Sequence, residues 1–314
     1  MPAQVFIDGQ VGTTGLEIAE RLGSRTDIDL LTIAEADRKD PAARACLLQN
    51  ADIAILCLPD DAAHEAQELA AGQTRLLDAS TAHRTASDWA YGLPELTESQ
   101  PDTIRNAERV SNPGCYPQGF ILTIRPLIAA GLLPADQRLS MHALCGYSGG
   151  GRSLIEKYQA LTDEQREAWN VRPYALGLKH KHIPEMRHYS GTTASPLFAP
   201  HVGNFYKGML TQVPLFLADL APGTTLERVH AALAEAYSAT RFINVLPLGV
   251  EGVLEAGYLS PTACNDTNEL EIMVFGNDEQ ALLIARYDNL GKGASGSAVQ
   301  NLNLMLGLDE STGL

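Results

Sequence analysis

The sequence has few cysteines, and their spacing suits neither disulfide bonds nor a zinc site. Its 314 residues include five cysteines. They are Cys46, Cys57, Cys115, Cys145 and Cys264. Because the number is odd and no two cysteines form a C-x-x-C pair, a disulfide scaffold and a structural zinc site are both disfavoured. We therefore expect no metal.

Basic residues are also scarce. The chain has 23 lysines and arginines against 38 aspartates and glutamates, so its formal net charge is −15. A binder of nucleic acid or of an anionic membrane needs a net basic face, and we expect neither partner. The best apolar run, residues 120–133, is interrupted by Arg125, and a strand pattern begins almost at once. We therefore expect a cytoplasmic protein without a signal peptide or transmembrane helix.

One of the cysteines lies in a turn-rich segment. Residues 111–117 read Ser-Asn-Pro-Gly-Cys-Tyr-Pro, and an apolar, helix-like run follows at 119–127. Pro117 suits the first helical position, which puts Cys115 just ahead of a helix N-terminus. Unpaired backbone donors and the positive end of the helix dipole favour a thiolate there. We interpret Cys115 as a candidate nucleophile. The alternative is a buried structural cysteine, the commoner state of this residue.

Three glycines mark a second informative turn. Residues 5–8 read as an apolar strand, Gly9, Gly12 and Gly15 follow at G-x-x-G-x-x-G spacing, and a helical pattern comes next. Such glycines let the backbone approach a pyrophosphate that sits on the helix N-terminus. The first glycine is one residue earlier than in the usual dinucleotide motif, and an ordinary tight turn is the alternative. The predicted cofactor contacts here are Gly9, Gly12, Thr13, Thr14 and Gly15.

The first part of the chain alternates strand and helix patterns. Predicted strands lie at residues 5–8, 30–33, 53–58 and 76–78, with helical segments such as 61–71 between them. This alternation predicts an α/β fold with a Rossmann-like, doubly wound parallel sheet, which binds ligands at the carboxyl ends of its strands. Pro59 and Ser80 follow two of those ends and join the predicted cofactor site.

The pattern changes after about residue 138. Predicted strands at 139–144, 209–217, 270–275 and 281–287 indicate an α+β domain with a mixed or antiparallel sheet, in which a turn at 276–279 joins the last two. A final helical stripe, Val299, Leu302 and Met305, is expected to pack back onto the first domain. The predicted domains are 1–114 with 293–314, and 115–292.

The densest positive cluster is Lys-His-Lys-His-Ile-Pro-Glu-Met-Arg-His at residues 179–188. Three hypotheses remain open for it. It could be a solvated basic loop, or a metal site built on His180 and His182, since alternate residues of an extended segment project to the same side. In the third hypothesis His182, two residues before Pro184, takes the proton from Cys115.

Seven segments together resemble the shorter form of the N-acetyl-gamma-glutamyl-phosphate reductases, a semialdehyde dehydrogenase-like family. The Asn-Pro-Gly-Cys-Tyr-Pro and His-x-His-x-Pro-Glu elements, found together in one chain, are specific to this family. The resemblance covers nearly the whole chain. Its segments are the glycines at 9, 12 and 15, and residues 80–84, 91–95, 111–117, 146–152, 180–185 and 292–296.

The resemblance implies an activity. NADPH would reduce N-acetyl-glutamyl 5-phosphate to N-acetyl-glutamate 5-semialdehyde with release of phosphate, a step in arginine biosynthesis. It implies an NADP-binding first domain, and a second domain for substrate and subunit contacts in a homodimer or homotetramer. By position, Cys115 matches the family's nucleophile and His182 its acid/base. The substrate contacts predicted from this comparison are Arg84, Asn112, Ser148, Gly149, Arg152, His180, Glu185 and Lys207.

The sequence leaves cofactor preference and substrate partly open. Glu35 would suit a free ribose 2′-hydroxyl, whereas Arg38 and Lys39 would suit a 2′-phosphate. The resemblance favours NADP, so Arg38 joins the predicted cofactor contacts. The alternative functions are an aspartate-semialdehyde dehydrogenase or related acyl-phosphate reductase and, outside enzymes, a nucleotide-sensing protein. A cysteine hydrolase would not need the glycine-rich turn.

Overall fold

The alternating strands and helices at the start of the chain form a six-stranded sheet in which every neighbouring pair is parallel. The computed structural model describes residues 2–314 and gives the strand order β2-β1-β3-β4-β6-β5. The strands are β1 (Ala3–Asp8), β2 (Ile28–Leu31), β3 (Ile53–Leu56), β4 (Arg75–Asp78), β5 (Ala90–Tyr91) and β6 (Arg109–Ser111). The helices are α1 (Thr13–Leu22), α2 (Pro41–Asn50), α3 (Asp60–Leu69) and α4 (Gln100–Asn106). The predicted doubly wound parallel sheet is confirmed.

The rest of the chain builds a seven-stranded mixed sheet in the order β11-β14-β15-β10-β7-β9-β8. Two of its neighbouring pairs, β7 with β9 and β11 with β14, are parallel, and the other four are antiparallel. Its strands are β7 (Ser140–Gly146), β8 (Val171–Pro173), β9 (Leu197–Gly203), β10 (Met209–Phe216), β11 (Ile243–Val245), β14 (Leu270–Gly276) and β15 (Gln280–Tyr287); β12 (Leu254–Glu255) and β13 (Tyr258–Leu259) form a separate ribbon. The helices are α5 (Cys115–Ala129), α6 (Gly151–Gln159), α7 (Asp163–Ala168), α8 (Ile183–Ser190) and α9 (Leu226–Ala236).

Backbone contacts divide the chain into two compact units. The first comprises Met1–Gly114 and Ala294–Leu314, and the second is Cys115–Gly293. The C-terminal helix, Gly296–Met305, belongs to the first unit because Val299, Leu302 and Met305 are buried in its core. The chain enters this helix through a π-helical turn, Gly291–Ser295, which the sequence pattern did not predict.

Helix α5 begins at Cys115, two residues before the predicted start. Pro117 is therefore its third residue, and the expectation that Cys115 lies ahead of the helix is wrong by that margin. The helix tolerates this because the first N–H groups of any helix have no intrahelical acceptor, so a proline in the first turn removes no hydrogen bond. Cys115 remains at the positive end of the helix dipole.

A single glycine sets how closely α5 approaches the mixed sheet. A Cβ added at Gly119 would lie 2.2 Å from Thr211 Oγ1 on β10 and 3.0 Å from the hydroxyl of Tyr287 on β15. Since Gly119 and these partners are buried, the extra methyl group has no space to enter. The position of Cys115, one turn earlier, depends on this contact.

We expect Gly119→Ala to lower the free energy of unfolding by about 1–3 kcal/mol, because overpacking shifts the helix away from the sheet. Gly177→Ala is the matched control, since a Cβ there meets nothing within 4 Å. Urea unfolding of the two variants measures the difference. A Gly119→Ala protein as stable as the Gly177→Ala protein would contradict this account of the packing.

Candidate active site

The glycine turn of the first unit can close only with glycine at two of its positions. Gly9 has φ +86°, and a Cβ there would lie 2.3 Å from the Cys57 carbonyl oxygen. A Cβ at Gly15 would lie 2.7 Å from the Gly9 carbonyl oxygen. The N-cap of α1 is Gly12, which has no side chain to accept from the first N–H groups of that helix. Those donors suit a pyrophosphate, and the turn therefore fits a dinucleotide.

The other predicted cofactor residues lie where neighbouring parallel strands end. Thr13 and Thr14 open α1, Pro59 caps α3 just beyond β3, and Ser80 follows β4. Arg38 follows a short turn beyond β2, with Nη1 3.8 Å from Glu35 Oε1. The structure thus places these residues along the carboxyl edge of the parallel sheet, which is where such folds bind nucleotides.

A buried cluster fixes the loop after β4. Asp78 accepts from the Ser80 N–H at 2.9 Å and the Ser80 hydroxyl at 2.7 Å, and it contacts His83 Nδ1 at 2.7 Å. The His83 ring stacks on Trp89 with centroids 4.1 Å apart. The roles of Asp78, His83 and Trp89 were not predictable from sequence pattern, because they depend on tertiary contacts.

Arg84 and Asn112, both predicted substrate contacts, are buried and bind backbone groups. Arg84 Nε donates to the Asn112 carbonyl at 3.0 Å, and its Nη2 donates to the Ala79 carbonyl at 3.2 Å. Asn112 Nδ2 donates to the Ala294 carbonyl at 3.1 Å, while its Oδ1 accepts from Asn301 at 3.0 Å. They therefore fix the backbone that leads into Cys115. Their contact with substrate stays a prediction.

The first turn of α5 is held by a tyrosine from β15. The Tyr287 hydroxyl donates to the Cys115 carbonyl at 2.6 Å and accepts from the Gly119 N–H at 3.3 Å. Burial raises the pKa of Tyr287 well above its ordinary value, so the hydroxyl remains a neutral donor. Gly293 also lies against the site, since a Cβ there would be 3.1 Å from the Cys115 Cβ.

Helices α5 and α8 pack side by side and run in the same direction. Near their starts, the ring of Tyr116 lies 5.8 Å from that of His182. Near their ends, Arg125 Nη1 donates to the Tyr189 carbonyl at 3.0 Å. Cys115 is the first residue of α5 and His182 is the N-cap of α8, so both lie at the shared N-terminal end. Two helix dipoles point their positive ends toward that place, which favours bound anions.

This geometry favours the catalytic hypothesis for the basic cluster. Lys179 and Lys181 are exposed, but only 5% of His182 is accessible, so the segment is not a wholly solvated loop. Among residues 2–314, no group of three or more histidine, cysteine or acidic side chains is placed to hold a metal ion. Cys115 and His182 are instead brought to the same end of a helix pair.

His180 has a defined role beside His182. Its Nδ1 accepts from the His182 backbone N–H at 3.2 Å, and the two rings lie 4.8 Å apart. Burial first, and Lys181 second, lower the pKa of His180 to about 4. The imidazole is therefore neutral near pH 7 and can act as a hydrogen-bond acceptor there.

The segment after β7 contains three further predicted substrate residues. The buried Ser148 Oγ accepts from Asn289 Nδ2 at 3.0 Å. At Gly149, a Cβ would lie 2.8 Å from Cys145 Sγ, so any larger residue would have to displace that sulfur. Arg152 is exposed and donates to Glu156 at 2.7 Å. The structure thus places Gly149 close to Cys145 and the buried Ser148 beside Asn289, while Arg152 lies at the surface.

The last two predicted substrate residues occupy different surroundings. Glu185 is 1% exposed on the buried side of α8, in the turn that follows His182. Lys207 forms an ion pair with Asp266, and its Nζ lies 3.5 Å from Asp288 Oδ2. Any phosphate bound by Lys207 would compete with these carboxylates.

Other cysteines of the second unit are unsuited to react. Cys145 and Cys264 are buried, and burial raises the pKa of Cys264 to about 12. Burial also raises the pKa of Cys145 well above its ordinary value. Cys115 is only partly buried and begins a helix. Since the thiolate is the reactive form, Cys115 is the better nucleophile.

Comparison with known proteins agrees with both units. Residues 4–107 match the semialdehyde dehydrogenase NAD-binding domain, and residues 115–289 match the semialdehyde dehydrogenase dimerisation domain. The N-acetyl-gamma-glutamyl-phosphate reductase 2 of Nostoc sp. is 51% identical over 318 residues, covering 99% of each chain. The enzyme of Chelativorans sp. is 52% identical over 309 residues, covering 98% of this chain and 99% of its own.

The chain belongs to the N-acetyl-gamma-glutamyl-phosphate reductase family. The resemblance stated from its motifs is thus confirmed over nearly the full length. Solved structures share the fold at lower identity. Aspartate semialdehyde dehydrogenase from Francisella tularensis has a TM-score of 0.74 at 15% identity, covering 97% of this chain and 100% of its own. The Candida albicans enzyme, solved with NADP, has a TM-score of 0.63 at 13% identity, covering 98% and 99%.

Among residues 2–314, no helix is both long enough and apolar enough to cross a membrane.

We expect the stability of this reductase-family protein to fall as the pH drops from about 6.5 to about 4, in part because of His180. In that window the unfolded chain binds a proton at this residue and the folded chain does not, so the free energy of unfolding decreases. His180→Asn keeps an acceptor for the His182 N–H and removes the titration, so the decrease should be shallower. Urea unfolding at both pH values measures it, with His142→Asn, at an exposed histidine, as the control. Equal pH slopes in wild type and His180→Asn would contradict the assignment.

Proposed function

We propose that this protein reduces N-acetyl-glutamyl 5-phosphate to N-acetyl-glutamate 5-semialdehyde with release of phosphate, as its curated relatives are named to do. The reaction is a step in arginine biosynthesis. The observation that carries the proposal is the placement of Cys115 and His182 at the shared N-terminal end of α5 and α8. In this proposal Cys115 is the nucleophile and His182 the acid/base.

The first step forms a bond between Cys115 Sγ and the acyl carbon. His182 accepts the thiol proton, the sulfur attacks, and the bond between the acyl carbon and the phosphate oxygen breaks. Phosphate leaves and a thioester remains on Cys115. The developing oxyanion needs hydrogen-bond donors, and the first-turn N–H groups of α5 are the nearest candidates.

The second step releases the aldehyde. When bound, the nicotinamide supplies the two electrons and one hydrogen that reduce the thioester carbonyl. His182 then holds the proton that restores the Cys115 thiol when the carbon–sulfur bond breaks. Gly9 to Gly15, Pro59 and Ser80 would hold the dinucleotide in the first unit. Splitting one difficult reduction into two steps lowers each barrier.

We also infer that the cofactor is NADP(H) and that the protein forms a homo-oligomer through its second unit. Arg38 supports the first inference, because it lies beyond β2 where a ribose 2′-phosphate would be read. The family description of residues 115–289, a dimerisation domain, supports the second. Dimer and tetramer both remain within the proposal.

A direct assay runs the reaction in reverse. Purified protein is mixed with NADP, phosphate and N-acetyl-glutamate 5-semialdehyde, and the absorbance of reduced cofactor is followed. Reduction of NADP with this aldehyde, and little reduction of NADP with aspartate semialdehyde, supports the proposal. Reduction only with aspartate semialdehyde would assign the sister activity, and reduction with neither would favour a nucleotide-sensing protein.

We expect Cys115→Ala to abolish turnover while the protein still binds NADP, because the thiol is not part of the glycine turn. Cys264→Ala is the matched control, since it removes a buried, unreactive thiol from the same unit. Turnover is measured by the assay above, and NADP binding by calorimetry. Activity retained in Cys115→Ala would reject the covalent mechanism.

We expect Arg38→Gln to raise the KM for NADP about tenfold and to leave that for NAD nearly unchanged, since only NADP carries the phosphate that an arginine would pair. Steady-state kinetics with each cofactor test this. Lys39→Gln removes the next positive charge along the chain and is the control. Its KM for NADP should change less than that of Arg38→Gln if Arg38 alone pairs with the phosphate. Equal effects of Arg38→Gln on both cofactors would remove Arg38 from this role.

A further inference from the structure

We propose that a cavity in the second unit selects the substrate by its carboxylate and its acylated amine, with Arg172 and Lys181 as the specificity-determining cations. This inference rests on the proposed function and identifies residues that read the part of the substrate remote from the reacting carbon. The cavity has a volume of about 660 Å³. Small-molecule sites commonly span roughly 300–1,000 Å³.

Two residues that line the cavity are neighbours of the proposed catalytic residues. Tyr116, which lines it, directly follows Cys115, and its ring lies 5.8 Å from that of His182. His180 also lines it, with its ring 4.8 Å from His182. Tyr174 closes this side, because its hydroxyl donates to that of Tyr116 at 3.0 Å. A substrate whose acyl carbon meets Cys115 can therefore extend its other end into the cavity.

The charge of the cavity wall is opposite to that of the protein as a whole. Arg172 and Lys181 line it, and the described residues around it include no aspartate or glutamate. The chain itself has a formal net charge of −15. Since His180 is neutral near pH 7, the fixed charges of this wall are the two cations. Such a site attracts a carboxylate and repels an ammonium group.

Arg172 is held in place by a neighbouring indole. Its guanidinium carbon lies 4.1 Å from the ring centroid of Trp169, and Nη2 donates to the Ala168 carbonyl at 3.0 Å. Because a guanidinium has five N–H donors, others remain for a ligand. Trp169, Leu154 and Val202 supply an apolar part of the same wall, which suits methyl and methylene groups.

These features select an N-acylated amino acid over one with a free amine. The substrate carboxylate can pair with Arg172 or Lys181, but a free α-ammonium would find no acid in the wall. Acylation removes that positive charge, and the added methyl group meets apolar surface. Selectivity then comes from both attraction and repulsion.

The test compares two aldehydes that differ only in the carboxylate. N-acetyl-glutamate 5-semialdehyde and 4-acetamidobutanal are each assayed with NADP and phosphate at about pH 8, where His180 is neutral. The variants are Arg172→Gln, Lys181→Gln and Lys157→Gln. Lys157 is the matched control, because its Nζ lies 4.4 Å from the Trp169 centroid but the residue does not line the cavity. Circular dichroism checks that each variant is folded.

We expect Arg172→Gln and Lys181→Gln each to lower the ratio of kcat/KM for the two aldehydes about tenfold, mainly through KM, because each removes one cation from the carboxylate. Lys157→Gln should keep the wild-type ratio. Competitive inhibition by N-acetyl-glutamate and by 4-acetamidobutanoate gives the ratio of the affinities for the two inhibitors, which does not depend on turnover. The preference for N-acetyl-glutamate should fall in the same two variants.

Ratios that stay at the wild-type value in Arg172→Gln and Lys181→Gln, or that fall equally in Lys157→Gln, would overturn the inference while leaving the proposed function in place. A wild-type protein that reduces NADP with neither aldehyde would overturn the proposed function, and this inference with it.

Discussion

The hydrogen bond from the Tyr287 hydroxyl to the Cys115 carbonyl fixes the position of Cys115, and the proposed chemistry depends on that position. It ties the first turn of α5 to β15, and the glycine at position 119 lets the helix lie close enough for that bond to form. With α5 fixed in this way, α8 packs beside it in parallel, and His182 comes to the same end as Cys115. The sulfur of Cys115, the proposed nucleophile, is thus positioned by packing around one buried hydroxyl.

Positive charge is concentrated near Cys115 and His182, although the protein as a whole is negatively charged. The protein is strongly acidic, yet the end of α5 and α8 that holds Cys115 and His182 combines two helix N-termini with a cavity wall that carries Arg172 and Lys181. In the proposed reaction, an anionic acyl phosphate would therefore meet a locally positive region within a negatively charged protein. The neutral state of His180 keeps it available as an acceptor that holds the His182 backbone.

Local pattern predicted much of this molecule. The strand and helix alternation predicted the parallel sheet, and the stripe of Val299, Leu302 and Met305 predicted a helix packed in the first core. The roles of Tyr287, Asp78 and His83 were not predictable, because each depends on partners brought together by tertiary folding. The start of α5 was placed two residues late, since proline is tolerated throughout a first turn.

The central claim is that Cys115 carries the acyl group during turnover, and one measurement tests it most directly. The protein is mixed with NADP and the aldehyde in the absence of phosphate, so that the acyl group cannot leave to phosphate. The account predicts a burst of one reduced cofactor per subunit, measured by absorbance. It also predicts an N-acetyl-glutamyl group on the peptide containing Cys115, detected by mass spectrometry. Steady turnover after phosphate is added, without a prior burst or any acyl group on that peptide, would contradict it.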